Sequence, residues 1–265
     1  MSSEPPDPLL LRELDWYVQP IFGPDGRTPA AFEALLRRPR PDGTVQGPND
    51  LLPWLLHRDR RDAFTRFTIQ RLASLVVQVA ERRPDAPPLH LNLAPEQLLS
   101  IESERWFGQL RPDLRPRLRI ELTEQSVRDL SGYAAAVARL AATGTQVWLD
   151  DLDPHDLNER WPESLPRAAV SGVKLDRGAT VDLLAEPSGA SAAMIRRLVS
   201  AGVHVVAEGI EDREALPLLR SLGIDRFQGF ALGRPVPDLL AAVHRWLPSA
   251  PAVAGNDGPL QPPGR

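Results

Sequence analysis

The sequence predicts an α/β fold of the TIM-type (β/α)8 barrel, with an antiparallel first strand. Three observations lead there. The chain has 265 residues, and one barrel of alternating strands and helices needs about 250. Short apolar runs rich in β-branched and aromatic residues alternate with longer helical stretches, which is the pattern of β/α units around a parallel sheet. The polar residues that interrupt this pattern fall at the C-terminal ends of the apolar runs, and in such a barrel that face carries the active site.

Taken in order, the first run is Trp16 to Phe22. The turn signal Gly23-Pro24-Asp25-Gly26 follows it, and a second run ends near Leu36, so the chain opens with an antiparallel hairpin. Further strands are expected at Leu89 to Leu93, Leu118 to Leu122, Val147 to Leu149, Val170 to Leu175 and Val203 to Ala207, and a last one near Phe227 completes eight. Helices are expected over Asp62 to Glu81, Gly132 to Ala142, Ala190 to Ala201, Asp212 to Leu222 and Pro237 to Trp246. Two of them end in Ala201-Gly202 and Leu222-Gly223, where glycine supplies a left-handed C-cap. Residues 9–247 read as one domain without internal repeat. Residues 1–8 are acidic and proline-rich, and residues 248–265 are dominated by Pro, Ala and Gly, so both tails are expected to be disordered.

Composition narrows the function classes. A hydrophobic share of 42% and a charged share of 25% are ordinary for a globular protein with a proper core. The N-terminus lacks the basic and apolar regions of a signal peptide, and no apolar run is long enough to span a bilayer. A cytoplasmic protein with no membrane partner is therefore expected. The net charge of −4 gives no basic footprint for duplex nucleic acid. There is no cysteine, so any metal must be held by oxygen or imidazole. Of 31 basic residues only Lys174 is a lysine, either by chance or because a compact ammonium matters there.

The strand-end residues are Asn92, Glu121, Asp150 with Asp151, Asp176, Glu208 and Gln228. A single acid at such a place often just caps the next helix, but six strand ends agreeing point to one shared site. Adjacent carboxylates on a regular strand face opposite ways, so Asp150 and Asp151 serve one site only if the second lies where the chain leaves the strand. Converging Asp and Glu oxygens with an Asn carbonyl form a hard ligand set suited to Mg²⁺ or Mn²⁺, and they would repel one another without cations among them. Ion pairing with the abundant arginines remains an adequate account of Glu124 and Asp176 taken singly. His90, two residues before Asn92 on the same strand face, and His155 are open either as added ligands or as ordinary core or surface histidines.

These residues carry a resemblance. Phe32-Glu33-Ala34-Leu35-Leu36-Arg37, Leu91-Asn92-Leu93-Ala94-Pro95, Ile120-Glu121-Leu122-Thr123-Glu124, Leu149-Asp150-Asp151, Val173-Lys174-Leu175-Asp176, Val206-Ala207-Glu208-Gly209-Ile210-Glu211 and Gln228-Gly229-Phe230 occur in the order and roughly the spacing of the EAL family of cyclic di-GMP phosphodiesterases. The chain resembles that family from Asp15 to Leu239. The resemblance implies two divalent ions, Mg²⁺ or Mn²⁺. Glu33, Asn92, Glu121 and Asp150 would hold the first, and Asp150 would bridge to a second beside Asp151 and Glu208. It further implies that Lys174 contacts the attacking water, that Glu211 and Gln228 complete the catalytic site, that Gln19 and Arg37 touch cyclic di-GMP, and that Glu124 braces the loop after Asp151. The product would be linear 5′-phosphoguanylyl-guanosine, formed by two-metal-assisted attack of water.

One loop departs from the family. Where the family continues its double aspartate with Phe-Gly-Thr-Gly, a loop tied there to metal binding and dimerisation, this chain has Leu152-Asp153-Pro154-His155. Two permissive glycines are replaced and a proline is introduced, so this loop cannot fold in the usual way. Two functions are carried forward: an active phosphodiesterase with an unusual loop, and a degenerate domain that binds cyclic di-GMP or a protein without turnover. A homodimer and a separate regulatory protein are the macromolecular partners that fit either.

Overall fold

The computed structural model describes residues 11–99, 107, 110–123, 130–152 and 169–247. Both expected tails, Glu124, Asp153, Pro154 and His155 lie outside the described residues.

Among the described residues nine strands form one sheet: β1 (Asp15–Phe22), β2 (Pro29–Pro39), β3 (Val45–Gln46), β4 (Leu89–Leu93), β5 (Leu118–Thr123), β6 (Gln146–Leu152), β7 (Val170–Leu175), β8 (His204–Ala207) and β9 (Arg226–Phe227). Pairing runs β1-β9-β8-β7-β6-β5-β4-β2, and β1 also pairs with β2, which closes eight strands into a barrel with β3 appended to the edge of β2. β1 is antiparallel to both β2 and β9, while β2 and β4 through β9 are mutually parallel. This is the TIM-type barrel with an antiparallel first strand.

The opening hairpin forms for the reason its turn residues give. Asp25 Oδ1 accepts hydrogen bonds from the backbone N–H groups of Arg27 and Thr28 at 2.8 Å each, and Gly26 takes φ 66°. The aspartate thus replaces the ladder where the strands separate. Closure returns the chain to the same edge, where Phe22 pairs with Phe227.

Among the described residues eight helices accompany the strands: α1 (Pro48–Leu55), α2 (Arg61–Arg82), α3 (Pro95–Leu98), α4 (Leu130–Ala142), α5 (Arg177–Ala185), α6 (Ala190–Ser200), α7 (Leu216–Ser221) and α8 (Leu239–Trp246). On α2 the buried residues Phe64, Thr65, Thr68, Ile69, Leu72, Val76 and Val79 recur at helical spacing, so one stripe faces the barrel. Side chains of this size contribute about 1.5–3 kcal/mol each when fully buried. Gly202 and Gly223 follow α6 and α7 at φ 80° and 92°, the expected left-handed caps. α1, α3 and α5 extend the expected set: Pro48 and Pro95 occupy first-turn positions of α1 and α3, and Asp176 starts α5 by accepting from the Ala179 N–H at 2.6 Å. The expected helix at Asp212 begins instead as a 3-10 turn, Arg213–Ala215, and becomes α-helical only at Leu216.

The main core lies between strands and helices, but Ile21, Ala31, Trp148 and Val206 form a separate apolar cluster. Each belongs to a barrel strand and stands two residues from Gln19, Glu33, Asp150 or Glu208, hence on the same inward face. The cluster plugs the barrel, and the polar residues form the layer above it at the C-terminal mouth. Among the described residues, no helix is long and apolar enough to cross a membrane.

Candidate metal centre at the barrel mouth

Register places the polar residues side by side. Asn92 pairs with Glu121 across β4 and β5, and Gln19 pairs with Glu33 across β1 and β2. Carboxylate oxygens of Glu33, Glu121 and Asp150 lie within 4.8 Å of one another, and all three residues are buried. Asn92 Nδ2 donates to Glu33 Oε1 at 2.8 Å, and Gln228 Nε2 donates to Glu33 Oε2 at 2.6 Å. Gln19 receives a weaker bond from Gln228 Nε2 at 3.3 Å and donates to the Gly233 carbonyl at 2.9 Å.

Lys174, 1% exposed, stands in the middle. Its Nζ is 3.3 Å from Glu33 Oε1, 3.0 Å from Glu121 Oε2, 3.0 Å from Asp150 Oδ1 and 2.6 Å from Glu208 Oε1. One ammonium faces four carboxyl groups. Burial opposes its charge, but Asp150, Glu121, Glu208 and Glu33 outweigh burial and hold its pKa well above the ordinary lysine value. The excess negative charge falls on the carboxyls. Burial raises Glu121 well above the ordinary range, assisted by Glu33 and Asp150, and pushes Glu208 up to about 8. For Glu33 burial acts upward too, but Lys174 and the amides of Gln228 and Asn92 together bring it below the ordinary value. Asp150 Oδ1 and Glu208 Oε1 have no aligned hydrogen-bond donor although both approach the ammonium, so these buried oxygens keep acceptor capacity.

Asp151 stands at the end of β6, exposed, with φ 56°. β6 and β7 lose register between Leu149 and Leu152, so the chain kinks at the double aspartate instead of leaving the strand there. Burial and the neighbouring Asp150 raise the Asp151 carboxyl. Arg37 lies four residues past Glu33 on the same face of β2, about 13 Å further along the strand, and donates to the Leu36 carbonyl at 2.8 Å. Glu211 is not drawn into the buried group; it pairs with Arg177 at 3.0 Å on the exposed rim. Asp176 caps α5 and makes no hydrogen bond or ion pair to the buried carboxylate group among the described residues.

His90, open in the sequence between ligand and core residue, and Arg119, which carries no mark there, both join the site. His90 is fully buried one layer below the carboxylates, with Nδ1 2.6 Å from Glu121 Oε1 and Nε2 3.2 Å from Arg119 Nη1. The available signal was phase: each lies two residues before a strand-end polar residue, on the same inward face.

A mixed eight-stranded barrel with a buried carboxylate group at its C-terminal mouth defines a class of enzyme folds in which the strand ends carry the chemistry. The model of the EAL domain family matches residues 7–235, and the chain belongs to that family. A bifunctional diguanylate cyclase/cyclic di-GMP phosphodiesterase of Pseudomonas aeruginosa, MucR, is 34% identical, over 88% of this chain and 35% of its own length. A probable cyclic di-GMP phosphodiesterase of Escherichia coli, PdeA, is 28% identical, over 83% of this chain and 30% of its own. The chain thus spans about a third of these relatives. Among solved structures, the MucR phosphodiesterase in complex with c-di-GMP superposes with a TM-score of 0.66 at 24% identity, covering 86% of this chain and 94% of that one. The manganese/cy-diGMP complex of Klebsiella pneumoniae BlrP1 gives 0.62 at 24% identity, with coverages of 89% and 57%.

Proposed function

We propose that the chain is a metal-dependent phosphodiesterase that hydrolyses cyclic di-GMP to linear 5′-phosphoguanylyl-guanosine. The observation that carries this reading is the buried group of Glu33, Glu121 and Asp150, with oxygens within 4.8 Å of one another. These residues fit a hard divalent cation: the donors are oxygens, Asn92 adds an amide beside Glu33, and the buried oxygens of Asp150 and Glu208 that approach the Lys174 ammonium keep acceptor capacity. In this reading Glu33, Asn92, Glu121 and Asp150 hold one Mg²⁺ or Mn²⁺, while Asp150, Asp151 and Glu208 serve a second. Bound there, the ions supply Lewis acidity toward phosphoryl oxygens and lower the pKa of water.

The protein's own groups divide the remaining work. Lys174 keeps its proton through the neutral range, so it acts as a fixed donor toward the attacking water and the phosphate oxygens and not as a base. Gln228 and Asn92 fix the two oxygens of Glu33 in one orientation. Arg37, above the mouth, offers a planar charge-assisted fork to a substrate phosphate, and Gln19, opposite Glu33, offers a polar contact lower in the mouth. Glu211 completes the rim, and Glu124, outside the described residues, is assigned by the family resemblance to support of the loop after Asp151. A second reading, cyclic di-GMP binding without turnover, draws on Leu152-Asp153-Pro154-His155, which replaces the glycine-bearing loop of the family.

Purified protein incubated with cyclic di-GMP in Mg²⁺ and in Mn²⁺ separates the two. The expected result is linear dinucleotide from the wild type and at least a roughly 100-fold slower reaction from Glu33→Ala, a fall of the size that follows loss of direct transition-state stabilisation. If no product forms in either metal while calorimetry still registers cyclic di-GMP binding, the protein is a receptor.

A further inference from the structure

Below the carboxylate group the barrel interior is mainly apolar, filled by Ile21, Ala31, Trp148 and Val206. His90 and Arg119 interrupt this layer, paired across β4 and β5. His90 is fully buried and Arg119 partly so; a buried imidazole is costly in such a layer unless it is hydrogen-bonded, and an apolar residue would fill the space without that cost. Their contacts point upward to one target. His90 Nδ1 lies 2.6 Å from Glu121 Oε1, and His90 Nε2 lies 3.2 Å from Arg119 Nη1. A guanidinium has donors and no acceptor, so Nε2 must accept; the single ring proton therefore sits on Nδ1 and is donated to Glu121.

The ring is held in place from the side. Trp148 packs against His90 with centroids 4.9 Å apart at 60°, and the Arg119 guanidinium lies 5.3 Å from the Trp148 ring centroid. Trp148 has its place only because residue 172 is glycine, since a Cβ there would come within 2.4 Å of the indole.

We infer that His90, its tautomer fixed by Arg119, is a positioning residue that holds Glu121 Oε1 so that Oε2 is presented to the metal centre. Oε2 is the oxygen 3.0 Å from Lys174 Nζ, on the side shared with Asp150 and Glu33. The inference rests on the metal-site reading above. It assigns to His90 the role that hydrogen-bonded outer partners play for ligating carboxylates, whose loss commonly weakens metal affinity about 10- to 100-fold.

Calorimetric titration of Mn²⁺ into wild type, His90→Leu and His90→Asn tests it. His90→Leu is expected to bind Mn²⁺ about 10- to 100-fold more weakly. His90→Asn, whose amide nitrogen can take the place of Nδ1, is expected to keep most of the affinity. Wild-type affinity in His90→Leu overturns the inference, and so does an equal loss in both variants, which would make the role one of packing. If His90→Leu does not fold, long-range ¹H–¹⁵N NMR of the wild type decides: a proton on Nδ1 alone supports the assignment, and a proton on Nε2 overturns it. A wild type that takes up no Mn²⁺ at all removes the metal-site reading together with this inference, an outcome distinct from unaltered binding by the variants.

Discussion

At the scale of single residues the centre is governed by a charge imbalance. Lys174 meets four carboxyl groups in a pocket where it is 1% exposed, and Glu121 and Glu208 answer by holding protons more tightly. Removing one partner of a buried ionic group costs about 3–5 kcal/mol, because the charges left behind are uncompensated. Lys174→Met is therefore expected to destabilise the metal-free protein by about that amount, measured by urea unfolding. A divalent cation replaces the missing charge, so Mn²⁺ should recover more stability in Lys174→Met than it adds to the wild type. A metal-free loss below about 1 kcal/mol, the worth of an ordinary exposed ion pair, would show that the ammonium is not what neutralises the group. Part of this is legible in the chain: composition marks the lone lysine and position at the strand ends marks Glu121, Asp150 and Glu208, whereas Glu33 comes only with the family resemblance. Direction is not. Asp176 and Glu208 look equivalent at the ends of apolar runs, yet Asp176 turns to cap α5 and Glu208 reaches Lys174. A side-chain oxygen can satisfy a helix N-terminus or a cation, and only the backbone path decides which.

At the scale of elements, β6 and β7 show how strands set the depth of the site. Trp148 lies inside the barrel over Gly172, and a methyl group on residue 172 would meet the indole at 2.4 Å. Overpacking of this kind costs about 1–3 kcal/mol, and Gly172→Ala is expected to lower the urea midpoint accordingly. Trp148→Leu makes room for that methyl, so the double variant should be less destabilised than the sum of the single changes. Strict additivity would show that the two positions do not share the space. Strands were the readable part of the fold because a buried parallel strand is a short apolar run bounded by turn residues, and such runs marked all eight barrel strands. α1, α3 and α5 are not among the expected helices; α3 is a single turn of four residues. α1 is eight residues long with Pro53 inside it, and α5 is nine residues, too short for a full apolar stripe. The Asp150-Asp151 step was expected to end its strand, and instead β6 continues to Leu152 through a kink with Asp151 at φ 56°. Periodicity carries no signal for one residue in a left-handed conformation.

For the whole molecule, the proposed ligands tie the barrel together. Glu33, Asn92, Glu121 and Asp150 come from β2, β4, β5 and β6, neighbours in the closed sheet, so an ion held by all four binds the folded barrel and not the unfolded chain. At a free Mn²⁺ concentration of about 100 times Kd, such binding stabilises by about 2.7 kcal/mol. For a domain of this size that raises Tm by about 5–10 °C. The size of the shift depends on pH, with a definite sign. Glu208, raised to about 8, and Glu121, also raised well above the ordinary carboxyl value by burial, hold protons in the folded metal-free state more tightly than the unfolded chain does. Their contribution to metal-free stability is present below the unfolded carboxylate pKa and is lost as pH rises through the folded values. Mn²⁺ requires the deprotonated carboxylates, so its affinity moves the opposite way and strengthens over the same window. The Mn²⁺-induced rise in Tm is therefore expected to be larger at pH 8 than at pH 6, and calorimetry in buffers of different ionisation enthalpy should register proton release on binding. Glu33→Ala should abolish the shift at both pH values. A shift of equal size at the two pH values, with no proton release, would mean that the carboxyls around Lys174 are ionised before the metal arrives.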